Sequence, residues 1–581
     1  MARPIRIANI SGFLGDRHTA AAEQLGGGSV DVLAGDYLAE LTMAILARQR
    51  LQDPSAGYAR QFLDQLEDVL VDVADRRVKV VANAGGLAPR RLADAVAAMA
   101  ERFGVTIRVA AVTGDDLLGA LGGPVDGAID LAPPRPGVRP VAANAYLGGW
   151  AIASALDAGA DIVVTGRVSD ASLTVGPAAW WHGWAHDDWD ALAGAVVAGH
   201  VIECGAQATG GNYSFFTEIP GLEHPGFPIA EVAEDGSAII TKHPGTGGAV
   251  TVGTVTAQLL YEVGGPRYLN PDVVARLDSV RLAHDGADRV RIFGVAGEPA
   301  PATTKVACIG VEGFTNAVTF ILPGLDVEAK ADLVERALWR RLGGKERFAR
   351  VETRLVRTDR ADPPINEAAF ATLTVAVVDP DERKVGRDFS SAAVELALAS
   401  YPGFTVTAPP RGARPALVYW SQTAPMPDAV VHLDGERRAV VAPVVVSPGR
   451  GGGGQPDASD APADRWEEAE TVRAPLGRLF GARSGDKGGD ANLGVWARSD
   501  DAYRWLVGFL DIGRLRRLIP EAGSLEIERH VFPRLRAVNF VLHGFLGEGV
   551  ASSIHADPQA KTLAEYLRAK VVDIPEPLLA A

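Results

Sequence analysis

The N-terminal half of the chain alternates short apolar runs with polar, glycine-bearing turns, and most turns lead into a stretch with apolar residues three and four apart. The first run, Arg3 to Ile10, ends in Ser11-Gly12-Phe13-Leu14-Gly15-Asp16-Arg17, and the second, Val30 to Leu33, ends in Gly35-Asp36-Tyr37. Tyr58 to Val73 has the spacing of an amphipathic helix. Val78 to Ala82 closes on Asn83-Ala84-Gly85-Gly86 before a helix from about Arg90 to Phe103, and Thr106 to Val112 closes on Thr113-Gly114-Asp115-Asp116. Arg139 to Ala142 leads to Asn144 and a further helix, and Ile162 to Val164 delivers Thr165-Gly166-Arg167-Val168-Ser169-Asp170 to a helix starting near Ala171. Strand, turn and helix in this order predict an α/β domain with a mostly parallel sheet. In such sheets ligands bind outside the carboxyl ends of the strands. Ser11, Asp16, Asp36, Asn83, Asp115, Asn144, Arg167 and Asp170 are thereby expected along one edge.

From about Val280 to Val445 the texture changes to longer alternating strands separated by helices, an α+β pattern. Ser447 to Pro462, SPGRGGGGQPDASDAP, reads as a linker. The segment after it is expected to form a ferredoxin-like α+β sandwich. The predicted division is 1–280 for the α/β domain with the main site, 281–445 for an α+β region of the same module, 446–473 for a flexible linker and 474–581 for the C-terminal domain.

Charge and composition narrow the partners. The 581 residues carry a net charge of −15, which argues against a nucleic-acid binder and favours small molecules. The acidity lies outside the C-terminal segment, where 14 Lys+Arg face 13 Asp+Glu. No export signal and no apolar run of membrane-spanning length is visible, so a cytoplasmic location is expected, without membrane partners. Cys204 and Cys308 fit neither a disulfide framework nor a thiolate zinc site. A homo-oligomer is expected from chain size alone.

Several turns carry candidate chemistry. A helix N-terminus beside Arg167 and Ser169 favours an anion, and Arg167 adds a carboxylate-matching fork; the competing reading has Ser169 or Asp170 capping the helix while Arg167 pairs with an acid. Glu203, in the glycine-lined GHVIECGAQATGG, could act as a general base, whereas neighbouring Cys204 reads as a small buried hydrophobe. Lys242 and Thr246, in Lys242-His243-Pro244-Gly245-Thr246-Gly247-Gly248, precede another helix and could hold a phosphate or carboxylate. Arg483 and Lys487, in the polar loop from Ala482 to Asn492, offer the same chemistry. The candidates are therefore Asp170, Glu203 and Arg167 for catalysis, and Ser11, Asn83, Asn144, Ser169, Lys242, Thr246, Arg483 and Lys487 for substrate. His182 and His186 are four apart but lack the glutamate of HExxH, and no metal is expected. Dinucleotide and P-loop motifs are missing, so no cofactor is expected.

The segments ISGFLGDR, DVLAGDYLAELTM, NAGGLAP, TGRVSDASL, GHVIECGAQATGG, GFPIAEV and HPGTGGAVTVGTVTAQLLYEV resemble the acyclic terpene utilisation protein family. ARSGDKGGDANLGVWAR and FPRLRAVNFVLHGFLGEGV resemble the ferredoxin-fold domain joined to it in many members. The resemblance implies catabolism of citronellol- and geraniol-type compounds through coenzyme A thioesters of branched acids, without fixing a reaction. Taken with the anion-binding turns, it leads to an expected hydratase or lyase acting on a carboxylate or acyl-CoA. The alternative is a non-catalytic binding or assembly subunit of the same pathway.

Overall fold

A computed structural model describes residues 3–120, 133–441, 466, 469–547, 549–550 and 553–579. Its largest sheet has eleven strands in the order Arg281–His284, Arg289–Phe293, Ala238–Lys242, Pro228–Val232, Ile5–Ser11, Val32–Gly35, Lys79–Ala82, Ile162–Thr165, Val109–Thr113, Ala429–Leu433 and Glu436–Val440. Only the five from Ile5–Ser11 to Val109–Thr113 run parallel, and antiparallel ribbons flank them on both sides. The expectation of a mostly parallel sheet is thus corrected to a mixed one. The flanking strands come from hairpins remote in sequence, and their apolar runs look no different from those of a buried parallel strand.

The parallel centre is covered on both faces. Ile5, Ile7, Val32, Ala34, Val81 and Val163 pack into one core, while Ala8, Ile10, Leu33, Val80, Ala82 and Val164 pack into the other. Successive side chains leave a strand on opposite faces, so one run feeds two cores. The first core includes the nearly all-buried helix Trp189–Ile202; the second includes Phe62 and Leu66 of Arg60–Glu67 and Leu92 and Val96 of Pro89–Phe103.

Arg139–Ala145, expected in the same parallel sheet, belongs elsewhere. It pairs antiparallel with the 21-residue strand Thr303–Pro323, which also pairs with Arg414–Pro425 and Phe370–Asp379. Within 281–445, the first and last strands therefore join the large sheet while the middle builds a second, six-stranded one. Of the predicted linker, residues 446–465 and 467–468 lie outside the described residues, and Thr471–Pro475 is a strand paired with Val571–Pro575.

The C-terminal domain is a four-stranded antiparallel sheet in the order Phe480–Lys487, Asp490–Ala497, Ala537–Leu542 and Ile527–Phe532, packed on helices Asp500–Phe509, Ile512–Leu518 and Leu563–Arg568. The polar stretch 482–492, read as a loop, is a hairpin: Arg483 pairs with Gly494 and Lys487 with Asp490. The domain docks on the larger module through Trp496, Phe532, Leu535 and Ala537, which join its core, and through polar groups. Asn492 Oδ1 accepts the Glu262 amide at 2.8 Å, Asn539 Nδ2 donates to the carbonyls of Val263 and Gly264 at 3.0 and 2.6 Å, and Ser214 exchanges hydrogen bonds with the Ala482 backbone at 2.8 and 3.0 Å.

Candidate functional site

A cavity of about 960 Å³ lies where the carboxyl ends of the parallel strands meet the C-terminal domain. The loops after Ile5–Ser11, Val32–Gly35 and Ile162–Thr165 supply Asp16, Asp36 and the turn from Arg167 to Asp170. The end of helix Trp189–Ile202 supplies His200 and Glu203, the long strand supplies Lys305, and the C-terminal domain supplies Arg483, Asp486, Lys487 and Lys561.

The Arg167 turn is held from behind. Asp115 Oδ2 accepts the Arg167 amide and Asn144 Nδ2, both at 2.8 Å, and Asn83 Nδ2 donates to Asp36 Oδ1 at 2.6 Å. Gly166 is needed for this closeness, because a Cβ there would stand 2.5 Å from both Asp115 carboxylate oxygens. Arg167 is buried; its Nη1 donates to Asp170 Oδ1 at 2.7 Å and to the Leu38 carbonyl at 3.0 Å, and its guanidinium lies 4.1 Å from the Tyr146 ring centroid. Asp170 thus pairs with Arg167, and no side chain caps helix Ser172–His182.

Opposite this turn, His200 Nδ1 stands 3.2 Å from Glu203 Oε1 and 3.4 Å from the Tyr268 hydroxyl. Glu203 Oε2, His200 Nε2 and Asn270 Nδ2 are buried and find no hydrogen-bond partner among the described residues. Burial, with Asp170 and Glu262 nearby, pushes the Glu203 carboxyl well above the usual range. Burial and the Lys487 charge push His200 down to about 4. A neutral acid beside a neutral imidazole can hold and pass a proton without a change in net charge. Burial and Asp170 likewise raise Asp36, and burial and Glu203 raise the Cys204 thiol, which disfavours a thiolate nucleophile.

Of the residues expected from sequence, Arg167, Ser169, Asp170, Glu203, Arg483 and Lys487 line the cavity. Ser11, Asn83 and Asn144 are buried and lie outside its lining; their side chains bond to the Phe13 carbonyl, to Asp36 and to Asp115. Lys242 and Thr246, expected at the same site, are elsewhere: Lys242 pairs with Asp288 at 3.0 Å and donates to the Thr246 carbonyl at 2.7 Å. The strand that ends at Lys242 joins an antiparallel ribbon, outside the parallel centre whose strand ends converge. His182 bonds the Val232 carbonyl and His186 packs on Trp150. Sequence reasoning passed over His200, Tyr268, Glu262, Lys305 and Lys561. Only His200 left a signal, standing three residues before Glu203 at a helix end, one turn apart on the same face.

Fold and site together define a two-module α/β protein with a densely charged cavity between the modules. Residues 5–433 match the model described as acyclic terpene utilisation family protein AtuA, and residues 474–573 match the AtuA ferredoxin-like domain. The chain belongs to this family, which implies a role in acyclic terpene utilisation. No curated protein and no solved structure matches it. Among the described residues, no helix is long and apolar enough to cross a membrane, and no cluster of three metal-ligating side chains occurs.

Proposed function

We propose that the protein is a hydratase or lyase acting on a branched carboxylic acid or its acyl-CoA thioester in the cavity between the modules. The observation that carries this reading is the His200–Glu203 pair: a buried carboxyl with one oxygen unengaged, facing a cavity lined by Arg167, Lys305, Lys487 and Lys561. About 960 Å³ is large for a small-molecule pocket and suits a branched acyl group with part of its carrier.

In the hydration direction, a water oxygen bonds to the β-carbon and the π pair shifts toward the carbonyl oxygen, after which Glu203 gives its proton to the carbon next to the carbonyl. The former π pair forms the new C–H bond, and the proton released by water passes to the Asp170 carboxylate. Lys487 stabilises the enolate-like oxygen that develops between these events. One water is added, and proton exchange through solvent resets the two carboxyl groups.

Incubating the protein in deuterated water with branched acids and their saturated and unsaturated thioesters tests the reading. Deuterium is expected beside the carbonyl, with hydrated or dehydrated product, and Glu203→Gln is expected to slow both by about 10²- to 10⁴-fold. Binding of these compounds without exchange or water addition would favour a non-catalytic binding subunit and sink the proposal.

A further inference from the structure

Two cations of the cavity wall stand in no direct ion pair among the described residues. Among the described residues, Arg167 pairs with Asp170 at 2.7 Å, Lys305 with Glu40 at 2.9 Å, and Lys561 with Glu262 and Asp486 at 3.2 and 3.5 Å. Arg483 and Lys487 make no such pair with any described residue. Arg483 donates to the Gln207 side-chain amide, and its guanidinium lies 4.5 Å from the Tyr261 ring centroid. Lys487 donates to the Glu262 carbonyl at 2.7 Å and stands 5.5 Å from the Tyr268 ring centroid. Arg483 is only 7% exposed, and a guanidinium that far out of water is costly unless an anion completes it.

The spacing separates the two. Arg483, Gly485 and Lys487 share one face of strand Phe480–Lys487, which puts the two Cα atoms about 13 Å apart, and the side chains end against different neighbours. As placed, the two charged ends make no contact with a common side chain. The Lys487 end adjoins Tyr268 and, through its hydroxyl, His200. The Arg483 end lies against Tyr261 and Gln207. Gly485 lets Tyr261 lie between them, since a Cβ there would come within 2.6 Å of its ring.

We infer that Arg483 is a subsite for a second anionic group of the substrate, a carboxylate or phosphate several bonds from the reacting carbonyl, which faces Lys487. This rests on the proposed reading of the cavity as a substrate site and adds the class of molecule: a two-ended anion read by the C-terminal domain. Calorimetry on the full chain tests it with two pairs of probes, suberate against octanoate and coenzyme A against pantetheine. In at least one pair the compound with the extra anion is expected to bind about 10- to 100-fold more tightly. A preference in the first pair assigns a carboxylate and one in the second a phosphate. Arg483→Gln is expected to erase the preference while leaving the unfolding midpoint in place, and Arg483→Lys to keep most of it. Absence of any preference in the wild-type protein, or its survival in Arg483→Gln, overturns the inference. Arg483-dependent binding without deuterium exchange would sink the catalytic reading alone.

Discussion

Asp115→Asn isolates the energetic cost of the carboxylate that holds the Arg167 turn. Asp115 is 3% exposed, and burial lifts its carboxyl from the ordinary 3.8 to about 6, even though it accepts the Arg167 amide and Asn144 Nδ2. The folded-state value lies above the unfolded one, so the folded protein holds this proton more tightly. Below about pH 4 the group is neutral in both states and carries no penalty, and stability is withdrawn as pH rises through about 6. At full ionisation the penalty is about 3 kcal/mol, of which about 2 kcal/mol appears between about pH 4.5 and pH 7.5. Asparagine stays neutral throughout, and its carbonyl oxygen can accept the same two hydrogen bonds. Urea unfolding followed by tryptophan fluorescence, at both pH values, is expected to show Asp115→Asn gaining about 2 kcal/mol on the wild type across that interval. A stability difference that does not change with pH, or that moves against the variant as pH rises, would refute the reasoning.

Three further outcomes are expected. Gly166→Ala should destabilise the protein by about 1–3 kcal/mol, read as a lowered unfolding midpoint, because the added methyl meets the Asp115 carboxylate; an unchanged midpoint would mean that the turn relaxes freely. Arg167→Met should cost about 3–5 kcal/mol in the same measurement, since it leaves Asp170 facing Asp36 and Glu203 without a counter-charge. Burial and the Glu262 charge raise Asp486 to about 7, so it gains negative charge between about pH 6 and pH 8, beside Lys561. Affinity for suberate or coenzyme A should fall over that range, and Asp486→Asn should flatten the fall in calorimetric titrations.

The parallel centre was legible because its strands are short, β-branched and closed by Gly, Asn or Asp, as at Val80-Val81-Ala82-Asn83 and Ile162-Val163-Val164-Thr165. The flanking ribbons were not, since strand direction is set by pairing across hundreds of residues. Pro228–Val232, for example, lies antiparallel to Ile5–Ser11. The same remoteness hid part of the cavity wall. Lys305 enters from the second, six-stranded sheet, Glu262 lies past the end of helix Val252–Leu259, and Tyr268 sits on the strand Arg267–Leu269, too short for a periodicity to read. Lys242 misled for a related reason: glycine and a cation before a helix look alike whether or not the strand end faces the ligand edge. The hairpin carrying Arg483 and Lys487 was mistaken for a loop because cavity-facing strand positions there are polar, which inverts the usual pattern of apolar residues facing inward.

The amide contacts that dock the two modules have a practical corollary. The backbone groups of Glu262, Val263 and Gly264 find their hydrogen bonds on Asn492 and Asn539, and Trp496, Phe532, Leu535 and Ala537 share the larger module's core, so parting the modules would bare apolar surface to water as well as break these bonds. A polypeptide nicked by protease between the modules should therefore travel as a single particle through gel filtration, and separately produced halves should find each other and reassemble.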